Sequence, residues 1–294
     1  YAGVATRDAV NRGIIQGARI ITAGKIISPT AKGNESFGTL YWETDNPEDM
    51  YQICRTEVAK GVDFIKYMVT GAVLNEGGVP GELVTTSKEI SAITTAAASL
   101  GTYVAAHCHG TEGIKLAVKN GVKTIEHASY IDEECVELML QRKDFVSIVP
   151  TFAIAYTLYK ELYEGGVLPE FVVKSRDACT HMAQGLKMCI DAGISAGWGT
   201  DLDMEMFERY PGLEFIARTE LGFSNIECLK EATINSARIV DLDDVCGTIK
   251  VGKYADLIAV AGNPDEDITV MKTLPKYVFK EGTLSSHCNG GINE

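Results

Sequence analysis

Short β-branched runs alternate along this chain with longer amphipathic stretches, and glycines stand at the joints. The candidate strands are residues 18–23 (ARIITA), 62–69 (VDFIKYMV), 102–108 (TYVAAHC), 122–126 (VKTIE), 145–151 (FVSIVPT) and 194–200 (ISAGWGT). Helical patterns lie at about residues 5–16, 47–60, 86–100, 111–120, 132–142, 169–192, 209–222 and 224–238. Two of these open on capping boxes, Thr86 with Glu89 and Ser224 with Glu227, where hydroxyl and carboxylate satisfy first-turn amides. Gly61, Gly101, Gly121 and Gly193 each separate a helical pattern from the strand that follows, the place where a left-handed cap costs glycine least. Near-continuous apolar strands alternating with helices predict an α/β fold, a parallel sheet covered by helices. No G-x-G-x-x-G follows the first strand, so a dinucleotide-binding sheet lacks its main signature, and reactive side chains at the C-terminal ends of several strands favour a barrel.

Beyond about residue 245 the texture changes to turns and short β segments, at residues 247–260 and 276–280 (KYVFK). This predicts two domains, a barrel over 1–245 and a small β domain over 246–294. With 294 residues, 46% hydrophobic, the chain can bury a large core. Its formal net charge of −13 argues against nucleic acid or an anionic membrane as partner, since both call for a basic surface. A small-molecule or dipeptide substrate fits better. A homo-oligomer is compatible with the composition, although no sequence feature demonstrates one. Eight cysteines form no C-x-x-C pair and read as buried free thiols, which points to a reducing cytoplasm. The chain begins at Tyr1 without a lead-in strand, and the expectation is that it starts partway through its protein. A signal peptide therefore stays open.

Three of the five histidines are His107, His109 and His127. Alternate residues of a strand share a face, so His107 and His109 point the same way at the end of TYVAAHC, while His127 follows VKTIE. Neutral imidazoles at strand ends can ligate a metal, although a single strand-end histidine is commonly a hydrogen-bonded structural residue. Asp201 follows GWGT and admits two readings, metal ligand and proton acceptor or N-cap of the next helix, with Asp203 competing for either part. Lys66 lies inside an apolar strand, either snorkelling to solvent or converted into a cation-binding group.

The residues Lys66, His107, His127 and Asp201, with the segments AAHCHGTEGI (105–114), IEHAS (125–129), DFIK (63–66), Thr70-Gly71, GTD (199–201), EATINSA (231–237) and GTIKVGKYADL (247–257), resemble the amidohydrolase superfamily. The likeness is to its branch of metal-dependent Xaa-Pro dipeptidases, arginine/lysine carboxypeptidases, ochratoxin-type amidases and imidazolonepropionase-like proteins. It covers essentially the whole chain. It implies a TIM-like (β/α)8 barrel, of which strands three to eight are present, with part of a small β-sandwich domain. By position it makes Lys66 a carbamylated lysine bridging two divalent ions, His107 and His127 ligands of the second, and Asp201 a ligand of the first that also handles the proton. Between the two strand-five histidines the family's spacing favours His107 as the ligand. His109 then faces the substrate, and Tyr67 helps shape the pocket.

The implied activity is hydrolysis of an amide C–N bond, in a dipeptide or N-acyl amino acid, by a metal-activated hydroxide. Zinc is the expected metal, although imidazole with carboxylate also admits manganese, iron or cobalt. Cyclic-amide hydrolysis of the imidazolonepropionase kind and a non-catalytic metal-binding barrel are the rival readings. Two family features are missing: the His-x-His of the first barrel strand and a Gly-His-x-Asp in the loop after the third. The expectation is a chain carrying the later half of a metal site.

Overall fold

The computed structural model describes residues 1–287. In chain order the elements are α1 (Ala2–Asn11), β1 (Ile26–Ser28), a 3-10 turn (Asn34–Leu40), β2 (Tyr41–Glu43), α2 (Pro47–Ala59), β3 (Ile65–Met68), α3 (Ser87–Ser99), β4 (Val104–Cys108), α4 (Thr111–Lys119), β5 (Thr124–His127), α5 (Glu133–Leu140) and β6 (Ser147–Val149). They continue with α6 (Phe152–Tyr159), α7 (Pro169–Ala192), α8 (Met204–Arg209), α9 (Leu213–Glu220), α10 (Asn225–Lys230), a π-helical turn (Glu231–Asn235), α11 (Ser236–Ile239), β7 (Leu257–Ala259), a 3-10 turn (Ile268–Lys272), β8 (Tyr277–Lys280) and β9 (Thr283–His287). Among the described residues there are two compact units, one of residues 1–150 with 168–195, the other of 151–167 with 196–287.

The first unit holds a six-stranded parallel sheet in the order β2-β1-β3-β4-β5-β6. Parallel strands need crossovers, and the amphipathic helices supply them. α2 begins where Asn46 accepts the Glu48 amide at 3.0 Å with Pro47 at the first helical position. α3 begins with the predicted capping box of Thr86 and Glu89, a device worth about 1 kcal/mol. The core between sheet and helices is built from Ile27, Ile65, Ile90, Ile93, Val104, Ile114, Ile125 and Ile148, each essentially buried. β3, β4 and β6 lie inside predicted strands, and β5 overlaps the predicted strand at 122–126 and runs one residue past it to His127.

The predicted strand at 18–23 forms no regular element, and β1 begins only at Ile26. Within it, Thr22 donates its amide to the Asp63 carboxylate at 2.8 Å and its carbonyl accepts the Asp63 amide at 2.9 Å; just beyond it, the buried Glu57 carboxylate takes the Lys25 amide at 2.9 Å and sits where any Cβ on Gly24 would be. The predicted loop after β1 contains the 3-10 turn and β2, which pairs in parallel with β1.

The second unit is mainly helical and ends in a small antiparallel sheet ordered β7-β8-β9, matching the short β segments expected beyond 245. The predicted strand at 194–200 forms only a one-residue bridge at Ala196. Side chains take the main-chain groups a ladder would use, for Arg218 donates to the Gly197 carbonyl and Ser236 accepts the Trp198 amide. The predicted pattern at 224–238 is helical throughout, with the π turn in its middle. The tyrosine-rich stretch after Thr151 is α6, with Tyr156 and Tyr159 packed edge to face at 5.3 Å.

Seven cysteines are described, all free thiols and six of them buried; Cys288 lies outside the described residues. No helix among the described residues is long and apolar enough to cross a membrane.

Residues 71–83 fold back over the C-terminal end of β3, with Gly71 donating to the Glu82 carbonyl at 2.9 Å and Val84 to Val69 at 3.1 Å. Gly81 then crosses Gly110, the residue after His109, so closely that a Cβ on Gly110 would lie 2.1 Å from the Gly81 carbonyl oxygen. Backbone cannot give way as a flexible side-chain tip can. Gly110→Ala is therefore expected to destabilise the protein by about 1–3 kcal/mol, measured by denaturant unfolding; an unchanged midpoint would show that the crossing is not tight.

Candidate metal centre

The chemistry-bearing residues of the first unit are set by strand register. Across β3, β4 and β5, Lys66 pairs with Ala105 and Thr124, while Met68 pairs with His107 and Glu126. Residues in register share a face and neighbours along a strand alternate. Lys66 and His107 therefore lie on the face opposite the one that Ile65, Tyr67, Ala106 and Ile125 turn to the helices. His109, two residues past His107, continues on the same side just beyond the end of β4.

His127 breaks this pattern. By alternation it belongs with Cys108, its register partner, on the helix-facing side. Its backbone is left-handed, φ 69°, and so is that of Ala128, φ 50°. A branch-bearing residue rarely adopts this conformation, which is stored where surrounding structure imposes it. The imposing contacts are main-chain bonds: Ala128 donates to the Cys108 and Glu126 carbonyls at 3.0 and 2.9 Å, and Tyr130 donates to the His109 carbonyl at 2.8 Å. The hydroxyl of Thr111 adds a bond to the Tyr130 carbonyl at 2.6 Å.

The reversal brings three imidazoles together. Ring centroids are 4.5 Å apart for His107 and His127, 4.7 Å for His109 and His127, and 4.8 Å for His107 and His109. One nitrogen from each lies within 4.8 Å of the others. All three residues are buried. Burial is the main cause that holds their pKa values down, to about 3 for His109, and the Lys66 ammonium pushes each in the same direction.

This donor set fits a divalent metal. Imidazole ligates as the neutral base, the form burial favours here. The remaining ring nitrogens of two histidines also have partners of the kind that orient metal-bound histidine. His109 Nδ1 lies 2.8 Å from Ser129 Oγ, and His107 Nε2 lies 3.4 Å from the Gly71 carbonyl. Thr70 accepts the His109 amide at 2.9 Å. Thr70, Gly71 and Ser129 stand within the family-like motifs, but reading those motifs as strings attached no role to them.

Of the residues singled out from sequence, the structure brings together His107, His109 and His127, with Lys66 on the sheet face that carries His107. It does not bring Tyr67 to them. Tyr67 is fully buried on the helix side, bonded to Thr85 and close to the Met50 sulfur, and burial raises its phenol pKa. Adjacent strand residues face opposite ways, so if Lys66 faces the histidines Tyr67 cannot.

Asp201 belongs to the second unit. It is exposed, with left-handed φ of 53°. The capping alternative falls to Asp203, which accepts the Met206 amide at 2.8 Å at the start of α8. The Tyr163 hydroxyl also donates to Asp203, at 3.1 Å.

The model of the amidohydrolase family matches residues 2–284. Among curated proteins, ochratoxinase of Aspergillus niger is 29% identical over 96% of this chain and 63% of its own length. The chain therefore spans less than two thirds of that relative. Among solved structures, a prolidase complexed with N-methylphosphonate-L-proline is 32% identical with a TM-score of 0.86, covering 97% of this chain and 73% of that one. A Xaa-Pro dipeptidase with methionine bound in its active site is 30% identical with a TM-score of 0.83, covering 96% and 71%. With the family pattern running almost end to end, the chain belongs to the amidohydrolase family.

Proposed function

We propose that this chain carries the catalytic centre of a metal-dependent hydrolase that cleaves the amide C–N bond of a dipeptide or N-acyl amino acid. The observation that carries the reading is the buried trio His107, His109 and His127 at the ends of adjacent strands, in a family whose similar members include prolidases and ochratoxinase. In this reading His107 and His127 hold the metal with Lys66 and Asp201, and Lys66 does so as its carbamate. Zinc is the proposed ion, two in the working enzyme.

A bound divalent ion supplies Lewis acidity, polarising the scissile carbonyl and making water a nucleophile at neutral pH. The chain's own residues supply the rest. Asp201 accepts the proton of the attacking water and passes it to the leaving nitrogen. His109, oriented through its Nδ1 by Ser129, presents its other nitrogen to the substrate carbonyl or carboxylate. Burial keeps that imidazole neutral, so it acts as a hydrogen-bonding group instead of a fixed charge.

The test is a screen of the full-length protein against dipeptides, Xaa-Pro members included, and N-acyl amino acids with zinc added; turnover lost on chelation is the expected result, and a uniformly blank screen would contradict the reading. Asp201→Asn, assayed under saturating metal, should lower kcat by about 10²- to 10⁴-fold; full activity would remove the proton role. Ser129→Ala should free the His109 ring and lower kcat/KM by roughly tenfold with metal content unchanged; full activity would remove the orienting role.

The histidines also set an acid limit on the metal-free protein. Their pKa values are lowered on folding from an ordinary value near 6.5, so below that pH the unfolded chain binds more protons than the folded one. Their share of stability is complete above about pH 6.5 and falls as pH drops below it. Thermal unfolding of chelator-treated protein should show Tm falling between pH 7 and pH 5, less steeply in His107→Asn; equal slopes would contradict the burial of a neutral ring.

A further inference from the structure

In the second unit, Arg218 is completely buried between two buried carboxylates. Its Nε donates to Glu214 at 2.6 Å, its Nη1 donates to Glu231, and its Nη2 donates to the Gly197 carbonyl at 3.2 Å. The guanidinium lies 4.4 Å from the Trp198 ring centre and 5.3 Å from that of Phe152. The other Glu214 oxygen accepts the Ala153 amide at 2.6 Å.

These bonds converge on one short segment. The peptide group joining Gly197 to Trp198 is held at both ends, its carbonyl by Arg218 and its N–H by Ser236 Oγ at 3.0 Å. Ser236 in turn donates to the Glu231 carbonyl at 2.6 Å, across the π turn. The π geometry lets a hydroxyl five residues on reach that carbonyl, and such turns gather where function demands them. Three residues further along, the Thr200 carbonyl accepts the Ile154 amide at 3.2 Å. Ile154 follows Ala153, which Glu214 fixes. The two peptide groups that frame residues 198–200 are thus tied to one ion triad, and Asp201 follows directly with its left-handed backbone.

We propose that the Glu214–Arg218–Glu231 triad is the positioning device for Asp201, holding the 197–201 segment so that its carboxylate is presented in one orientation. The inference rests on the reading of Asp201 as the proton carrier. Stability alone is a poor reason for such a triad. Burial holds both carboxyls above their usual range, Glu231 at about 7, and buried ion clusters are commonly matched or bettered in stability by apolar residues of similar volume. What apolar side chains cannot supply is a donor to the Gly197 carbonyl.

The test compares four forms of the protein: wild type, Asp201→Asn, the apolar triple Glu214→Leu/Arg218→Met/Glu231→Leu, and the triple combined with Asp201→Asn. Amide hydrogen exchange of residues 198–201 is read first, because it needs no substrate. The triple should keep or raise Tm, speed exchange in that segment by about tenfold or more, and lower kcat by about tenfold or more with KM and metal content little changed. In the Asp201→Asn background the triple should cost little further activity, since a residue acting through another is non-additive with it. A stable triple with wild-type exchange and wild-type kcat would overturn the inference. Full activity in Asp201→Asn would instead remove the proton role, while the exchange data would still decide whether the triad holds the segment. If the triple does not fold, Ser236→Ala decides: it removes the acceptor of the Trp198 amide and the donor to the Glu231 carbonyl while leaving the ion triad in place, and unchanged exchange there would count against the clamp.

Discussion

The left-handed turn at His127 and Ala128 is the constraint on which the centre depends. Strand alternation alone delivers Lys66, His107 and His109 to one side of the sheet and sends His127 to the other. Two residues with positive φ, held by bonds from the Ala128 and Tyr130 amides to Cys108 and His109 at the end of β4, bring the third imidazole back. A non-glycine residue in that region costs roughly 1 kcal/mol or more. The chain accepts the cost where three neutral rings must meet, and burial of those rings then sets their protonation.

Much of this was legible in the residues. The alternation of apolar runs with capped amphipathic stretches carries the sheet, and the capping boxes at Thr86 and Ser224 are both present as expected. The i, i+2 spacing of His107 and His109 was enough to place them on one face. The participation of His127 was readable as a strand end, but its reversal was not, because it arises from main-chain bonds to residues distant in sequence.

The failures have equally local causes. Two segments with strong strand character, 18–23 and 194–200, stay out of regular ladders, and side chains take some of their backbone groups: Asp63 at Thr22 in the first case, Arg218 and Ser236 in the second. Propensity describes a segment's own preference and is silent about a carboxylate that takes its amides or a guanidinium that takes its carbonyls from elsewhere in the chain. Tyr67 was misplaced by proximity to Lys66, although alternation already required the two to part. Arg218 carried no signal, since one arginine in a helical pattern is ordinarily a surface residue; the EATINSA motif that contains its partner Glu231 was visible only as a family likeness.

The most direct measurement is crystallographic: diffraction data collected at the zinc absorption edge from zinc-loaded protein. The account predicts an anomalous peak about 2.0–2.1 Å from nitrogens of His107 and His127, with the Lys66 side chain extended by a carbamate toward it. A zinc-loaded crystal with no peak at the histidine trio, its three rings bonded only to protein groups, would contradict the central claim that these strand ends are built to hold a metal.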